Sequence, residues 1–458
     1  MSTASYISST EKRAIVSLAS LYALRMLGLF MVLPVMAVAG AEFEGATPEL
    51  LGLAIGVYGL SQGLLQIPAG ALSDHFGRKP VIVIGLIIFA LGSFIAANAD
   101  SVYGIILGRL LQGCGAIASA VMALVTDLTR EEHRMKAMAS IGASIGLSFS
   151  VALVLGPILV HLGGLQLIFI ITGVLSLAGI VLVLTLVPTP ARKKHRDGSA
   201  IVSEVFKQLG NGELWPLNIG IFILHALMVT MFVAIPSQLI QAGLTLNQHA
   251  WLYLPVLLTA FVLMVPFVII AEKKRQMKGI VIIALGIMIF ALIIMSQAMG
   301  VWSWAIALGV FFWAFNIMEA TLPSWLSKVA PAGAKGSAMG VYSTMQFLGA
   351  FAGGLIGGWL NNYFGIEGLF LILAVAVFAW AALVVVTPKP AHLNSVRVDI
   401  LNQGNGEDQS ALYLDTLINL RGVADAILIA EEQAIYLKVD ASLFDYQQAV
   451  ATVNSVGE

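Results

Sequence analysis

Among 458 residues there is one cysteine, Cys114, so the chain can form no internal disulfide and no thiolate metal cluster. Charge is almost as scarce: Asp, Glu, Lys and Arg make up 11% of the residues, against about 25% in soluble globular chains. A formal net charge of −1 offers no basic surface to a nucleic-acid partner. No paired nucleophile and base and no metal-ligating cluster stands out, so neither an enzyme nor a cofactor or metal site is expected. What fills the chain is hydrophobic side chains, at 59%. Most of such a sequence must lie in lipid.

A span needs about 20 apolar residues rising roughly 1.5 Å each. Stretches of that kind fall at 14–39, 48–73, 80–98, 102–127, 134–162 and 164–187, and again at 214–242, 247–271, 278–298, 301–329, 334–362 and 365–387. The expected organisation is a six-helix half over 1–187, a linker over 188–213 holding Arg192 to Arg196, and a second six-helix half over 214–387. A short linker at 388–394 then leads to a polar tail over 395–458. The N-terminus up to Arg13 has no cleavable signal pattern, so the first span is expected to stay.

Basic residues give the orientation. Lys12 and Arg13 precede span 1; Arg78 and Lys79 follow span 2; Arg130, Arg134 and Lys136 follow span 4; Arg192 to Arg196 and Lys207 follow span 6. Lys273, Lys274, Arg275 and Lys278 follow span 8, Lys328 and Lys335 follow span 10, and Lys389 follows span 12. The opposite loops carry Glu42, Glu44, Glu49, Asp100 and Glu367 and no Lys or Arg. Loops retained in the cytoplasm collect Lys and Arg, so both termini are expected to be cytoplasmic and the number of spans even.

The halves echo each other. Lys136-Ala137-Met138 recurs as Ser337-Ala338-Met339, Gly156-Pro157 falls opposite Gly357-Gly358, and Phe30 to Pro34 opposite Phe232 to Pro236. Such a duplication with a central cavity is a transporter architecture.

One join is more specific than the rest. Gly70-Ala71-Leu72-Ser73-Asp74-His75-Phe76-Gly77-Arg78-Lys79-Pro80 is a charged turn between two apolar spans. Gly77 permits a left-handed backbone there, and Pro80 suits the first turn of the next helix. Its G-x-L-x-D-x-x-G-R-K spacing resembles the loop between helices 2 and 3 of the major facilitator superfamily. Ala271 to Lys278 is a worn copy of it, with Glu272 for Asp74. The stretch Leu107-Gly108-Arg109 to Gln112-Gly113, continued by Gly115-Ala116, is similar to the helix 4 signature of that superfamily's proton-coupled members.

The resemblance implies a twelve-helix major facilitator fold in the bacterial inner membrane, working by alternating access as a proton-coupled efflux transporter. It implies partners in the bilayer, protons and an unidentified small molecule; a monomer is expected. Gly70, Asp74, Gly77, Arg78 and Lys79, with Asp127 at the end of span 4, would form a conformational switch in which Asp74 also accepts from the amino end of span 11 near Gly336. The helix 5 signature of drug antiporters, G-x-x-x-G-P-x-x-G-G, is met only in Gly156-Pro157: Ala152 precedes it and Val160-His161 follow. A membrane sensor on the same fold and a proton-coupled nutrient symporter are the alternative readings.

Ionisable groups within lipid each cost about 2.5–3.5 kcal/mol, so each needs a partner or a water-filled cavity. Candidates for proton coupling are Arg109, Glu319 and Arg25. Glu319 shares a helical face with Asn316, and a carboxyl withdrawn from water holds a proton more readily. His225 reads as a neutral core histidine. Tyr58, Gln62 and Gln66 recur at helical spacing, as do Tyr342 and Gln346; with Gln112 and Asn316 they are expected to line a substrate cavity. Helices 5 and 11 carry Gly142, Gly146, Gly156, Gly349, Gly353, Gly354, Gly357 and Gly358, which suit close helix contact between the halves.

The tail alternates Val396, Val398 and Ile400 with Arg397 and Asp399, which predicts a strand over 395–401. A helix at 411–420, strands at 423–430 and 434–440 and a helix at 443–453 complete a small α+β, ferredoxin-like pattern. Without cysteine it offers no copper or zinc thiolate site, leaving a regulatory or small-ligand role, or a passive stabilising one, with its partner unknown.

Overall fold

The structure is a computed structural model that describes residues 8–189, 205, 207–331, 335–388, 393–399, 407–429, 434–440 and 443–457. The expected basic run Arg192 to Arg196 lies outside the described residues.

Helix α1 (Ser9–Phe30) opens on a capping box in which Glu11 N–H donates to Ser8 Oγ at 3.1 Å and Ser8 N–H to Glu11 Oε2 at 3.0 Å. It loosens into turns over 31–35 around Pro34, and a short α2 (Met36–Ala39) follows. Helix α3 (Pro48–Phe76) is capped by Thr47, with proline at its first position. One residue, Gly77 at φ 97°, separates it from α4 (Arg78–Ala97). No longer join is needed, because glycine alone reaches that backbone region without strain.

The span expected at 102–127 is two helices, α5 (Val102–Cys114) and α6 (Ala118–Leu128), parted by three non-helical residues, Gly115 to Ile117. Helix α7 (Glu131–Thr185) is far longer than a bilayer and breaks at Gly163 and Gly164. Its two ends return to one face. Ile141 and Val183 share a core, and Arg13 Nη2 and Nε donate to the carbonyls of Thr185 and Leu186 at 2.8 Å.

The second half repeats the plan in α8 (Trp215–Gln241), α9 (His249–Lys273), α10 (Met277–Ser296), α11 (Val301–Val329) and α12 (Lys335–Val386). Helix α12 breaks at Gly365, φ 65°. It too returns, with Lys278 Nζ donating to Val385 O at 2.7 Å and Thr387 O at 2.6 Å. Among the described residues ten stretches are long and apolar enough to span, α5 and α6 counted together, and the glycine reversals in α7 and α12 let each of these two cross twice.

The tail is β1 (Leu393–Asp399), α13 (Glu407–Ile418), β2 (Val423–Ile429), β3 (Ala434–Asp440) and α14 (Tyr446–Gly457). Its antiparallel sheet runs β1-β3-β2, with Val398 opposite Ile435 and Val396 opposite Leu437. Val398, Ile435, Leu437 and Val439 pack on Tyr413, Leu417, Ala449 and Val453 from the two helices. Strand β1 starts two residues earlier than the alternation suggests and the helices are displaced by a few residues, because polar terminal turns carry no periodicity.

Candidate functional site

At the end that carries the basic loops, three helix ends are tied by one guanidinium. Arg78 Nε donates to Asp127 Oδ2 at 3.1 Å, its Nη1 donates to Ser73 Oγ at 2.7 Å, and the same group pairs with Asp74. Lys79 Nζ donates to the Val187 carbonyl at 2.6 Å, and Gly70 lets Ser119 of α6 approach. The second half holds a related pair in which Glu272 of α9 takes the place of Asp74 and a lysine that of Asp127: Lys328 at the end of α11 donates to Glu272 at 2.7 Å, and Ser324 joins the same carboxylate. The carbonyl of Lys328 also accepts from Lys438 Nζ of β3 at 2.7 Å. That lysine is 3% exposed, so the tail is seated on the second half.

Among the described residues Asp74 pairs with Arg78 and makes no contact with the amino end of α12. A Cβ on Gly336 or Gly340 would meet nothing within 4 Å, and nothing lies within 4 Å of one on Gly142 or Gly146 of α7. Contact between α3 and α12 runs from the other end to the middle of the helices, where Thr344 Oγ1 donates to the Gly63 carbonyl at 3.5 Å. A Cβ on Gly52 would lie 2.2 Å from the Gly354 carbonyl, Gly56 and Gly59 face the carbonyls of Phe351 and Phe347, and Glu49 accepts from Asn362 Nδ2 at 2.6 Å. Gly354 and Gly358 meet the backbone of Gly52 and Pro48 across the halves as expected, whereas Gly156 packs on the Met31 carbonyl within the first half, Gly349 and Gly353 pack on the Phe222 and Ala226 carbonyls of α8 within the second, and Gly142 and Gly146 line open space.

The hydrophobic cores say the same. One core runs through both halves, from Met31, Leu51 and Phe169 to Phe232, Leu239 and Phe312. The other, of Leu18, Leu86, Leu124, Ile141 and Val183, belongs to the first half, with Phe347 alone packed on it from the second. Phe149 joins the halves midway, 5.1 Å from Phe30, 6.0 Å from Phe232 and 6.3 Å from Phe312 by ring centroids. The halves pack on each other toward the acidic end, and Gly142, Gly146, Gly336 and Gly340 toward the basic end face open space.

Beneath this aromatic layer the second half gathers its polar groups. Gln346 Nε2 of α12 donates to Glu319 Oε1 at 3.4 Å and lies 2.7 Å from His225 Nε2, while His225 is 3.9 Å from Glu319 Oε2. The Glu319 side chain is 39% exposed, whereas His225 is buried and packs against Phe315 at 5.8 Å. Tyr342 is buried with its hydroxyl unpartnered, and Asn316 is half-buried one turn before Glu319. Sequence reasoning set His225 aside; a lone histidine on an apolar helix gives no sign that two other helices bring Gln346 and Glu319 to it.

The first half is different. Arg109 is 1% exposed and donates from Nε to Ala54 O at 3.2 Å, from Nη2 to Ile55 O at 3.3 Å and from Nη1 to Gln112 Oε1 at 2.8 Å, over the Tyr58 ring at 5.2 Å. Its partners are carbonyls and an amide, not a carboxylate. Gln112 is fully buried and donates to Ser93 Oγ at 2.8 Å, so it braces α4 rather than lining a cavity. Arg25 Nη2 meets Gln62 Oε1 and Gly115 O at 2.8 Å and Tyr58 Oη at 3.3 Å. Tyr58, Gln62 and Gln66 form one buried string, Gln62 Nε2 donating to Gln66 Oε1 at 3.4 Å.

Two repeated helical bundles packed on each other with polar side chains buried among their apolar helices have the architecture of a membrane transporter. Residues 18–354 match the sequence profile of the Major Facilitator Superfamily, and the chain belongs to that family. It is 44% identical over 445 residues to the inner membrane transport protein YajR of Escherichia coli strain K12, covering 96% of this chain and 97% of that one. It is 26% identical over 356 residues to the multidrug resistance protein MdtH of Aeromonas salmonicida, 75% of this chain and 86% of the relative. The crystal structure of a bacterial homologue of the human lysosomal transporter Spinster, inward-facing and occupied, superimposes with a TM-score of 0.69 at 13% identity over 84% of this chain and 98% of that one. The protein is thus a multi-pass inner-membrane transporter of a small molecule, not an enzyme.

Proposed function

We propose that the chain is a proton-coupled exporter whose halves rock about the central cavity, with Glu319 as the carboxyl that exchanges the proton. The observation that carries this reading is the placement of Glu319: a partly exposed carboxylate of α11 that accepts from Gln346 of α12, the helix packed against α3 of the other half. Neutralising it changes the cost of leaving it in an apolar, closed cavity, so proton occupancy biases which end opens. A proton moving inward across 100 mV supplies about 2.3 kcal/mol.

With both termini in the cytoplasm, the basic end is the inward face. The cluster of Asp74, Arg78 and Asp127 then holds α3, α4 and α6 as one body, free to meet α12 when that face closes. The name of the multidrug relative supports export as the direction. Reconstituted vesicles test the reading with a compound that overexpression protects against in a growth screen. Wild-type protein should accumulate it under an imposed pH gradient, and Glu319→Gln should abolish that drive while leaving downhill exchange. Accumulation by Glu319→Gln equal to wild type would discard the proton path.

A further inference from the structure

We infer that the break in the fourth span, between α5 and α6, is an anion site built on Arg25. The two buried guanidiniums of the first half are treated very differently. Arg109 spends all three nitrogens on acceptors. Arg25, 3% exposed, directs three contacts from Nη2 alone, and its Nε and Nη1 have no partner among the described residues. A guanidinium stays charged in any protein setting, and leaving one desolvated with unused donors is costly unless a counter-charge arrives.

The chain itself supplies none of the contacts recorded for Arg25 from a carboxylate: they come from a phenol, an amide and a backbone carbonyl, with the Phe89 ring 5.6 Å below. The described acids of this half are engaged elsewhere or sit at its faces. Glu11 is paired with Arg130 and His133, Asp74 and Asp127 with Arg78, and Glu49 with Asn362.

The second positive element is the break. Arg25 Nη2 reaches the Gly115 carbonyl at 2.8 Å, and Tyr22, one turn earlier on α1, donates to the Ala118 carbonyl at 3.3 Å. The same face of α1 therefore lies along the residues where α6 begins. Helix α6 has eleven residues, and its cap residue Ile117 makes no side-chain bond to the first turn. The amino end of a helix carries about half a positive charge and presents amide hydrogens. A half-helix terminus beside an uncompensated guanidinium inside a transporter bundle is suited to a small anion or a carboxylate.

Two sources share that chemistry: a resident inorganic anion, and a carboxylate on the transported molecule. The second rests on the export reading above, whereas anion binding does not and survives its failure. The test uses the full chain in lipid nanodiscs, with thermal unfolding followed by tryptophan fluorescence. Sodium chloride or sodium acetate replaces bulky morpholinoethanesulfonate at constant ionic strength. The midpoint should rise saturably with at least one probe, Arg25→Gln should remove the rise, and Arg25→Lys should shift half-saturation at least tenfold upward, since an ammonium lacks the fork. Response to chloride alone assigns a resident counter-ion, and response to acetate assigns a carboxylate subsite. No saturable rise in the wild type, or the same rise in Arg25→Gln, overturns the site. Should Arg25→Gln fail to fold, unchanged half-saturation in Arg25→Lys overturns it equally.

Discussion

Arg78 and Asp127, 49 positions apart in the chain, meet at 3.1 Å at the basic end of the first bundle. The guanidinium is at once the first residue of α4, the partner of Asp74 on α3 and the tie to the end of α6. A turn motif and a helix end thereby become one rigid body, which is what a rocking half requires.

Asp127→Asn leaves the Arg78 guanidinium partly unpaired in a half-buried place. A hydrogen bond to a charged group contributes about 1.5–3 kcal/mol, and solvent access at Asp127 puts this one at the lower end. Thermal unfolding should show a loss of about 1–2 kcal/mol, with the transport rate reduced because α3 and α6 no longer move together.

The packing between the halves depends on glycine. A Cβ on Gly354 would sit 2.4 Å from the Gly52 carbonyl, backbone that cannot yield, whereas one on Gly340 of the same helix meets nothing. Overpacking of this kind costs about 1–3 kcal/mol. Gly354→Val should lower the unfolding midpoint and make acidic-end cysteines label faster, and Gly340→Ala should leave both unchanged.

Arg109 acts as a brace. Removing it strips bonds from Gln112 and from the α3 carbonyls of Ala54 and Ile55, and lysine cannot replace the fork. Arg109→Ala and Arg109→Lys should both reduce the fraction of folded protein on size exclusion. Folded protein in normal yield but with an altered pH profile would instead make Arg109 part of the proton path.

Much of this architecture was legible in the sequence. Hydropathy gives the apolar spans and the Asp74 to Lys79 turn names the family, because each depends on local composition. What escaped it depends on neighbours. The helix break at Gly115 hides inside a stretch still apolar enough to read as one span, with Gly113, Gly115 and Ala116 as its trace. Gln112 reads as a cavity residue until α4 is seen to supply Ser93, and His225 reads as inert until α11 and α12 close around it. The expected contact of Asp74 with the amino end of α12 is not found among the described residues, where Asp74 pairs with Arg78.

Lys438 predicts a link between tail and gate. Lys438→Ala removes the bond to the Lys328 carbonyl, beside the Glu272 pair related to the Arg78 cluster. Hydrogen exchange should rise in β3 and in the last turn of α11 together. A rise in β3 alone would make the contact incidental to the second half.

The central claim is that proton occupancy of Glu319 sets which face is open. The direct measurement is the distance between spin labels on cysteines at Ala143 and Gly340, across the basic end, in a Cys114→Ser background at pH 5 and pH 8. The parent protein should change its distance distribution between the two, and Glu319→Gln should hold the low-pH distribution at both. A Glu319→Gln protein that follows pH as its parent does would contradict the account.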